Sequence, residues 1–162
     1  MTSADVDEDD KWSQYPDTVL EFYADGPGRV DLRRPLGRAE RETLARIGLA
    51  GPFAVLTAEN PEGDNAEDAD NAKEQRREAE RNDRRMSALV RELTRRGQLF
   101  VRVDGVSPDG SYRERCVAVP IARAEAVALA RDFAQLALFW YDGDRFWLLP
   151  AAANRPPRPL PP

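Results

Sequence analysis

The apolar residues of this chain occur in short runs of strand length that alternate with turn sequences. The longest run, LALFWY, covers residues 136–141, and a second, FAVLTA, covers residues 53–58. Runs of four to eight apolar residues bounded by turn sequences are typical of buried strands. No run approaches the roughly 18 residues that a membrane-spanning helix needs. We therefore expect a fold built around a sheet, with no direct membrane span.

Strand and helix patterns follow one another in the order β-β-α-β-α-β-β-α-β-β. Because most strands are joined as hairpins with helices between them, the pattern predicts an α+β fold. We expect a mixed, largely antiparallel sheet with helices packed mainly on one face. The predicted strands lie at residues 18–23, 29–32, 53–58, 99–103, 112–119, 136–141 and 145–149. The predicted helices lie at residues 38–47, 71–96 and 122–134.

The two ends of the chain differ in composition from its centre. Residues 1–16 are polar and acidic, interrupted by Trp12 and Tyr15, and such a segment does not fold alone. The C-terminal residues 151–162 include RPPRPLPP, which is typical of polyproline II. We therefore expect one domain at residues 17–150 between two extended arms.

Charge and cysteine content restrict the partners and the compartment. The chain has 29 acidic and 24 basic side chains and a net charge of -5. Phosphate backbones repel an acidic chain, so no nucleic-acid partner is expected. The lone Cys116 cannot form an internal disulfide, which is typical of a reducing compartment. The acidic N-terminus is the opposite of a signal peptide, and a cytoplasmic location is expected.

The residues that most often carry catalysis are missing. Histidine is absent, which removes the commonest general base and zinc ligand, and one cysteine cannot build a thiolate metal site. The acidic residues within 62–70 lack the register of an EF-hand loop and are interpreted as a solvated loop. No catalytic residue, no metal site and no cofactor is predicted, and we expect a protein that is not an enzyme.

A few polar residues stand at the ends of buried segments, where ligand sites often form. Thr57 and Asn60 follow the FAVLTA strand, although turn chemistry explains them equally. Glu114 shares a strand face with Cys116 and is expected to be partly buried, either as a site residue or in an ion pair with arginine. Gln135 closes a predicted helix, where it can also satisfy a backbone group.

Several segments resemble a bacterial family, domain of unknown function 3293. The matching pieces are LTAENP at residues 56–61, Asn82, and the segments 84–89, 105–114 and 133–135. The resemblance covers roughly residues 53–150 and implies a group of candidate ligand-binding residues: Thr57, Asn60, Asn82, Glu114 and Gln135. The chain departs from the family pattern at Glu59, often aromatic or apolar there, and at Ala134, often glycine. The acidic stretch at 62–70 also looks expanded.

Three functions follow from these features. The first is a non-catalytic accessory or scaffolding subunit that docks onto other protein subunits through its arms and its long charged helix. The candidate partner-binding residues are Trp12, Tyr15, Arg155, Pro156, Pro157, Arg158, Pro159 and Leu160. The second is a small-ligand-binding protein or enzyme that uses the five polar residues. The third, a basic module for membranes or nucleic acid, is opposed by the net charge.

In overall impression the chain also resembles a cytoplasmic accessory subunit of a bacterial photosynthetic reaction-centre and light-harvesting complex. That resemblance implies docking on a membrane-embedded complex through a protein partner. The chain itself has no histidine to bind a pigment.

Overall fold

A single eight-stranded sheet organises the chain. The computed structural model describes residues 3–24, 27–61 and 71–162. Every strand pair in the sheet is antiparallel, and the strand order is β2-β1-β4-β5-β3-β6-β7-β8. The strands are β1 Val19–Tyr23, β2 Pro27–Asp31, β3 Phe53–Leu56, β4 Val101–Val106, β5 Arg113–Val119, β6 Ala137–Tyr141, β7 Phe146–Pro150 and β8 Arg158–Leu160. The predicted α+β class and antiparallel sheet are confirmed.

Four helices cover the sheet, two on each face rather than mainly on one. They are α1 Ser3–Gln14, α2 Arg38–Arg46, α3 Ala72–Arg95 and α4 Arg123–Asp132. Side chains of α1 and α2 join one hydrophobic cluster, which we call the α1 face. Side chains of α3 and α4 join the cluster on the opposite face, which we call the α3 face. Sequence reasoning predicted α2, α3 and α4 but not α1, and the apolar period of a helix does not tell which face of a sheet it covers.

The central strands are apolar on both sides because both faces are covered. In β3, Phe53 and Val55 enter the α1 face, whereas Ala54 and Leu56 enter the α3 face. Successive side chains of a strand point to opposite faces, so a doubly covered strand reads as a continuous apolar run. The FAVLTA and LALFWY runs have this origin.

The N-terminal segment forms a helix, which corrects the expectation of an extended arm. Trp12 of α1 is only 9% exposed and belongs to the core of the α1 face. The ring of Tyr15, just after α1, meets Phe139 edge to face, with centroids 6.3 Å apart. Aromatic pairs in this geometry add to the burial energy. The arm therefore acquires its shape by packing on its own domain, through contacts that its polar composition conceals.

The C-terminal tail also packs, although its composition predicted no packed structure. Its residues Arg158–Leu160 form β8 and pair with β7, and Leu160 is 3% exposed. Proline is tolerated there because an edge strand has one side that forms no ladder hydrogen bonds. Arg155 forms ion pairs with Glu8 and Asp9 of α1, so the two ends of the chain are joined.

The long helix α3 begins and ends close to its predicted limits. The Asn71 side chain accepts a hydrogen bond from the Glu74 backbone N–H at 2.8 Å and caps the N-terminus. Gly97, with φ at 68°, follows the C-terminal end. The strand predicted at residues 99–103 begins later and runs over Val101–Val106. The predicted acidic loop at 62–70 and the centre of the turn at 25–26 lie outside the described residues.

Within the described ranges, no helix combines the length and the apolar character needed to cross a bilayer.

Leu160 should contribute to stability if β8 belongs to the fold. We expect Leu160→Ala to lower the free energy of unfolding by about 2–3 kcal/mol, because it removes a buried side chain from the α1 face. Chemical denaturation measures the effect. Pro157→Ala, at an exposed position of the same tail, is the matched control and should be nearly neutral. Equal effects of the two substitutions would contradict the packed tail.

Candidate functional site

A cavity of about 610 Å³ opens on the α1 face at one end of the central strands. Thr57, Asn60, Glu114 and Gln135, four of the five polar residues selected from the sequence, line it. Helix α1 and the segment after it supply Lys11, Gln14 and Tyr15 on one side. The turn between β4 and β5 supplies residues 107–109 and 111 on another. The N-terminal helix is therefore part of the site.

Strand order and side-chain alternation bring three of these residues together. Strand β3 lies between β5 and β6 in the sheet. Thr57 comes two positions after Val55, whereas Glu114 precedes Cys116 by two and Gln135 precedes Ala137 by two. Because Val55, Cys116 and Ala137 all belong to the α1 face, a period of two places their polar neighbours there as well.

Asn60 and Asn82 form a reciprocal pair that fixes the exit of β3. The Asn60 backbone N–H donates to Asn82 Oδ1 at 3.0 Å, and Asn82 Nδ2 donates to Asn60 Oδ1 at 3.0 Å. Arg85 Nη1 donates to the same Asn82 oxygen at 2.8 Å. Asn60 has a φ of 47°, a left-handed conformation that asparagine adopts more readily than most residues. Asn82 thus lies behind the cavity wall and positions Asn60.

The remaining amide hydrogens of Asn60 point toward two cavity residues. Its Nδ2 atom donates to the Tyr112 hydroxyl oxygen at 2.9 Å and approaches Glu114 Oε1 at 3.4 Å. The first contact is a good hydrogen bond, and the second is long. Asn60 therefore links the helix behind the site to the Tyr112–Glu114 pair in front of it.

Glu114 has a half-buried carboxyl group that forms no ion pair within the described part of the chain. Its pKa is raised to about 8, mainly because folding removes the group from water and also because Glu59 is negatively charged nearby, whereas the hydrogen bond from the Asn60 amide lowers it. The arginine ion pair considered from the sequence does not form in the described part of the chain. Arg115 lies next to Glu114 but binds Glu59 at 2.5 Å and Asp83 at 2.7 Å. Glu114 is therefore largely protonated at neutral pH.

Thr57 and Gln135 also hold the chain that follows β3. Thr57 Oγ1 donates to the Arg115 carbonyl at 2.7 Å and accepts from the Glu59 N–H at 3.1 Å. Gln135 Nε2 donates to the Glu59 carbonyl at 2.9 Å. These contacts match the turn and backbone roles weighed from the sequence. Both residues face the cavity at the same time.

Sequence reasoning did not select Tyr112, Lys11 or Gly105 as site residues. Tyr112 stands two positions before Glu114 on the same strand face, so the period of two could have found it. Lys11 depends on α1, which was not predicted. Gly105 pairs directly with Glu114 across β4 and β5, and this register is visible only in the folded sheet.

Three other titratable groups near Glu114 are held in their neutral forms. Burial, followed by the negative charge of Glu114, raises the pKa of the Tyr15 and Tyr112 hydroxyls and of the Cys116 thiol. A thiol with a raised pKa is a poor nucleophile, because the thiolate is the reactive form. The group best suited to gain or lose a proton near neutral pH is Glu114.

The residues predicted to bind a partner differ in how far they are exposed to solvent. Trp12 and Leu160 are buried in the α1 face, and Tyr15 lines the cavity. Arg155 is paired with α1, whereas Arg158 and Pro159 are half-buried in β8. Only Pro156 and Pro157 are fully exposed.

The part of the chain that the structure describes contains no group of three or more acidic or cysteine side chains that could hold a metal ion.

Ala134 and Glu59, the two residues noted as departures from the family pattern, each have a distinctive local structure. Ala134 has a φ of 56°, a conformation that glycine adopts without strain. Glu59 is buried, and its carboxylate accepts hydrogen bonds from the Arg115 backbone N–H at 3.1 Å and from the Arg115 Nε at 2.6 Å. A charge thus occupies a position where the family often has an apolar side chain, and Arg115 provides its partner.

Fold and site together define an α+β domain with a partly polar cavity of ligand size. Residues 74–138 match the model of a family described as protein of unknown function (DUF3293). The match supports the resemblance noted in the sequence over a shorter range, less than half of the chain. It includes Asn82, Glu114 and Gln135 but not Thr57 and Asn60. No curated protein and no solved structure matches the chain.

Asn82 should be a positioning residue for the cavity. We expect Asn82→Ala to lower the free energy of unfolding by about 2–3 kcal/mol, because it removes the partner of both the buried Asn60 backbone N–H and the Asn60 Oδ1 atom. Ser87→Ala, at an exposed position of the same helix, should change stability by less than about 0.5 kcal/mol. Denaturation of both variants measures the difference. A near-neutral Asn82→Ala would show that the amide pair is dispensable.

Proposed function

We propose that this chain binds a small organic ligand in the cavity between α1 and the sheet. The observation that carries the proposal is the convergence of Thr57, Asn60, Glu114 and Gln135 on one cavity of about 610 Å³. Ligand sites commonly have volumes of roughly 300–1,000 Å³ and combine apolar walls with a few polar groups that converge. A purely structural polar cluster would have no such space beside it.

The walls of the cavity supply both kinds of contact. Val55, Val106, Ala137 and Phe139 provide an apolar surface for the body of the ligand. Among the polar groups of the wall, Glu114 and Tyr112 are linked through Asn60. This linked pair gives the polar group of a ligand a defined place to bind.

The absence of a side chain at Gly105 leaves free space beside the Glu114 side chain. It is the direct antiparallel partner of Glu114 and it lines the cavity. A side chain at this position would project toward the cavity beside Thr18 and Cys116, at ordinary van der Waals distances of 3.6 Å and 3.9 Å from the Cβ atom. Gly105 therefore leaves room for a ligand atom to reach the carboxyl group.

Helix α1 and Tyr15, which follows it, cover one side of the cavity, and we call this cover the roof of the site. Lys11, Gln14 and Tyr15 line the cavity, and Trp12 anchors the helix to the sheet. The ion pairs of Arg155 with Glu8 and Asp9 hold the roof to the C-terminal tail. Access to the cavity therefore depends on how firmly the two ends of the chain are packed.

Filling the cavity should abolish binding without unfolding the protein. We expect Gly105→Leu to eliminate the chemical-shift changes that cavity-binding fragments cause in NMR spectra of the wild type. Gly51→Leu, at an exposed position with open space around it, is the matched control and should bind like the wild type. Fragment binding that persists in folded Gly105→Leu would place the binding site elsewhere.

Docking onto a larger protein assembly, as a non-catalytic accessory subunit, is the second candidate function. The observation that favours it is the first half of α3, where nearly every residue from 72 to 80 is exposed. The helix is supported there by its own ion pairs, such as Glu78 with Arg81 and Arg85 at 2.6 Å and 2.7 Å. A photosynthetic complex as the assembly stays a prediction that none of these contacts tests.

Charge reversal on α3 tests the docking proposal. We expect a double substitution, Arg76→Glu with Arg77→Glu, to remove proteins that co-purify with the native chain, because both arginines are exposed on the first half of the helix. Arg123→Glu, on the exposed start of α4, should leave them bound. Identical co-purifying proteins for all three chains would reject a docking role for α3.

A further inference from the structure

We propose that the ligand of this cavity carries a cationic amino group, which pairs with the Glu114 carboxylate while an apolar body packs on the walls. This inference rests on the proposed ligand-binding function and specifies the chemical class of the ligand.

Glu114 forms no ion pair among the described residues, although two arginines flank it in the sequence. Arg115 lies on the opposite side of the strand and is engaged by Glu59 and Asp83. Arg113, which precedes it, is engaged by Glu21 at 2.9 Å and Asp104 at 2.8 Å. Carboxyl groups removed from water are ordinarily paired or hydrogen-bonded. The Glu114 side chain instead faces a cavity, where it accepts the long contact from Asn60 at 3.4 Å.

The charged side chains of the cavity wall also favour a cationic ligand. The charged side chains that line it are Lys11, Asp17, Asp109 and Glu114. Asp109 is fixed as an anion, because hydrogen bonds from Ser111 and Ser107 lower its pKa to about 2. Glu59, immediately behind the wall, adds a further negative charge near Glu114. Acidic groups therefore outnumber basic ones around the space, which favours a cation over an anion.

The cavity offers the Glu114 carboxyl group together with apolar surface. Glu114 pairs across the strands with Gly105, and the apolar side chains of Phe139 and Val55 line the same cavity. An amine at the end of a short apolar or aromatic group would meet both surfaces at once. Charge-assisted hydrogen bonds to a carboxylate are roughly twice as strong as neutral ones, which makes the amine the orienting group.

Pairing with an amine has a defined proton balance. At pH 7 the free protein carries Glu114 mainly as the neutral acid, whereas the ligand arrives as an ammonium ion. On binding, the carboxyl proton passes to solvent, the ammonium keeps its own proton, and no covalent bond changes. The other titratable or charged groups that face the carboxyl group or line its cavity are Lys11, Tyr15, Asp17, Glu59, Asp109, Tyr112 and Cys116. The tyrosines and the cysteine stay neutral below pH 9 because their pKa values are raised.

Three probes of matched shape test the inference: 2-phenylethylamine, 2-phenylethanol and 3-phenylpropanoate, titrated by NMR at concentrations up to about 10 mM. At pH 8.5 we expect the amine to bind at least about tenfold more tightly than the alcohol. Its affinity should weaken by about tenfold for each pH unit below 8, since ionisation of Glu114 must precede pairing. Calorimetry at pH 7 in two buffers should show release of close to one proton per amine bound, and none for the alcohol.

Glu114→Gln should abolish both the preference for the amine and its dependence on pH, because glutamine keeps the shape but cannot ionise. Glu80→Gln, at an exposed position of α3, is the control and should keep both. The proton release of the wild-type protein provides a second test that does not depend on the folding of any variant.

The outcomes separate the two proposals. Equal binding of alcohol and amine, or tighter binding of the carboxylate, would overturn the cationic ligand and leave the binding cavity standing. Chemical-shift changes at the cavity from none of the three probes would reject the proposed function itself, and the inference with it.

Discussion

The amide pair between Asn60 and Asn82 connects the two faces of this fold at the place where the cavity forms. Asn82 belongs to α3, which covers one face, and Asn60 lies at the end of β3 and opens onto the other. Because the Asn82 side chain bonds both the backbone N–H and the Oδ1 atom of Asn60, the backbone after β3 can be buried in a left-handed conformation. The position of Asn60 then determines where Tyr112 and Glu114 lie.

The Glu114 carboxyl group is half-buried at this place and loses much of its contact with water. A carboxyl group in this position is stable as the neutral acid and costs free energy as the anion. Its folded-state pKa of about 8 lies above the value near 4.5 of an exposed glutamate. The protein therefore loses stability as the pH rises from about 4.5 to about 8, since the unfolded chain releases the proton first. A group retained at such a cost, beside a cavity, is typical of a functional site.

Much of the sheet could be predicted because each strand carries its own signal. The continuous apolar character of residues 53–56 and 137–141 reflects cover on both faces, and the alternation around Glu114 correctly placed it on the side of Cys116. Grouping Thr57, Asn60, Glu114 and Gln135 required a resemblance to a family as well as the strand pattern. Their ligand-binding role is still a prediction.

The two ends could not be predicted, because their structure depends on distant contacts. Trp12 is a large apolar residue of α1 in the core, and the cluster that it joins consists mainly of residues from strands far along the chain. Leu160 occurs among prolines, and only pairing with β7 makes its segment a strand. Gly105 looks like a turn residue in the sequence, whereas in the sheet it lies opposite Glu114. The roof and the free space of the cavity thus arise from tertiary contacts.

The most direct test of this account is the titration of Glu114 itself, followed through its side-chain carboxyl ¹³C resonance in the ligand-free protein. The account predicts a midpoint near pH 8, because the group is removed from water, forms no ion pair with a described residue and lies near Glu59. A midpoint near pH 4.5, the value of an exposed glutamate, would show that the carboxyl group is solvated or paired. The physical basis of the proposed site would then be wrong.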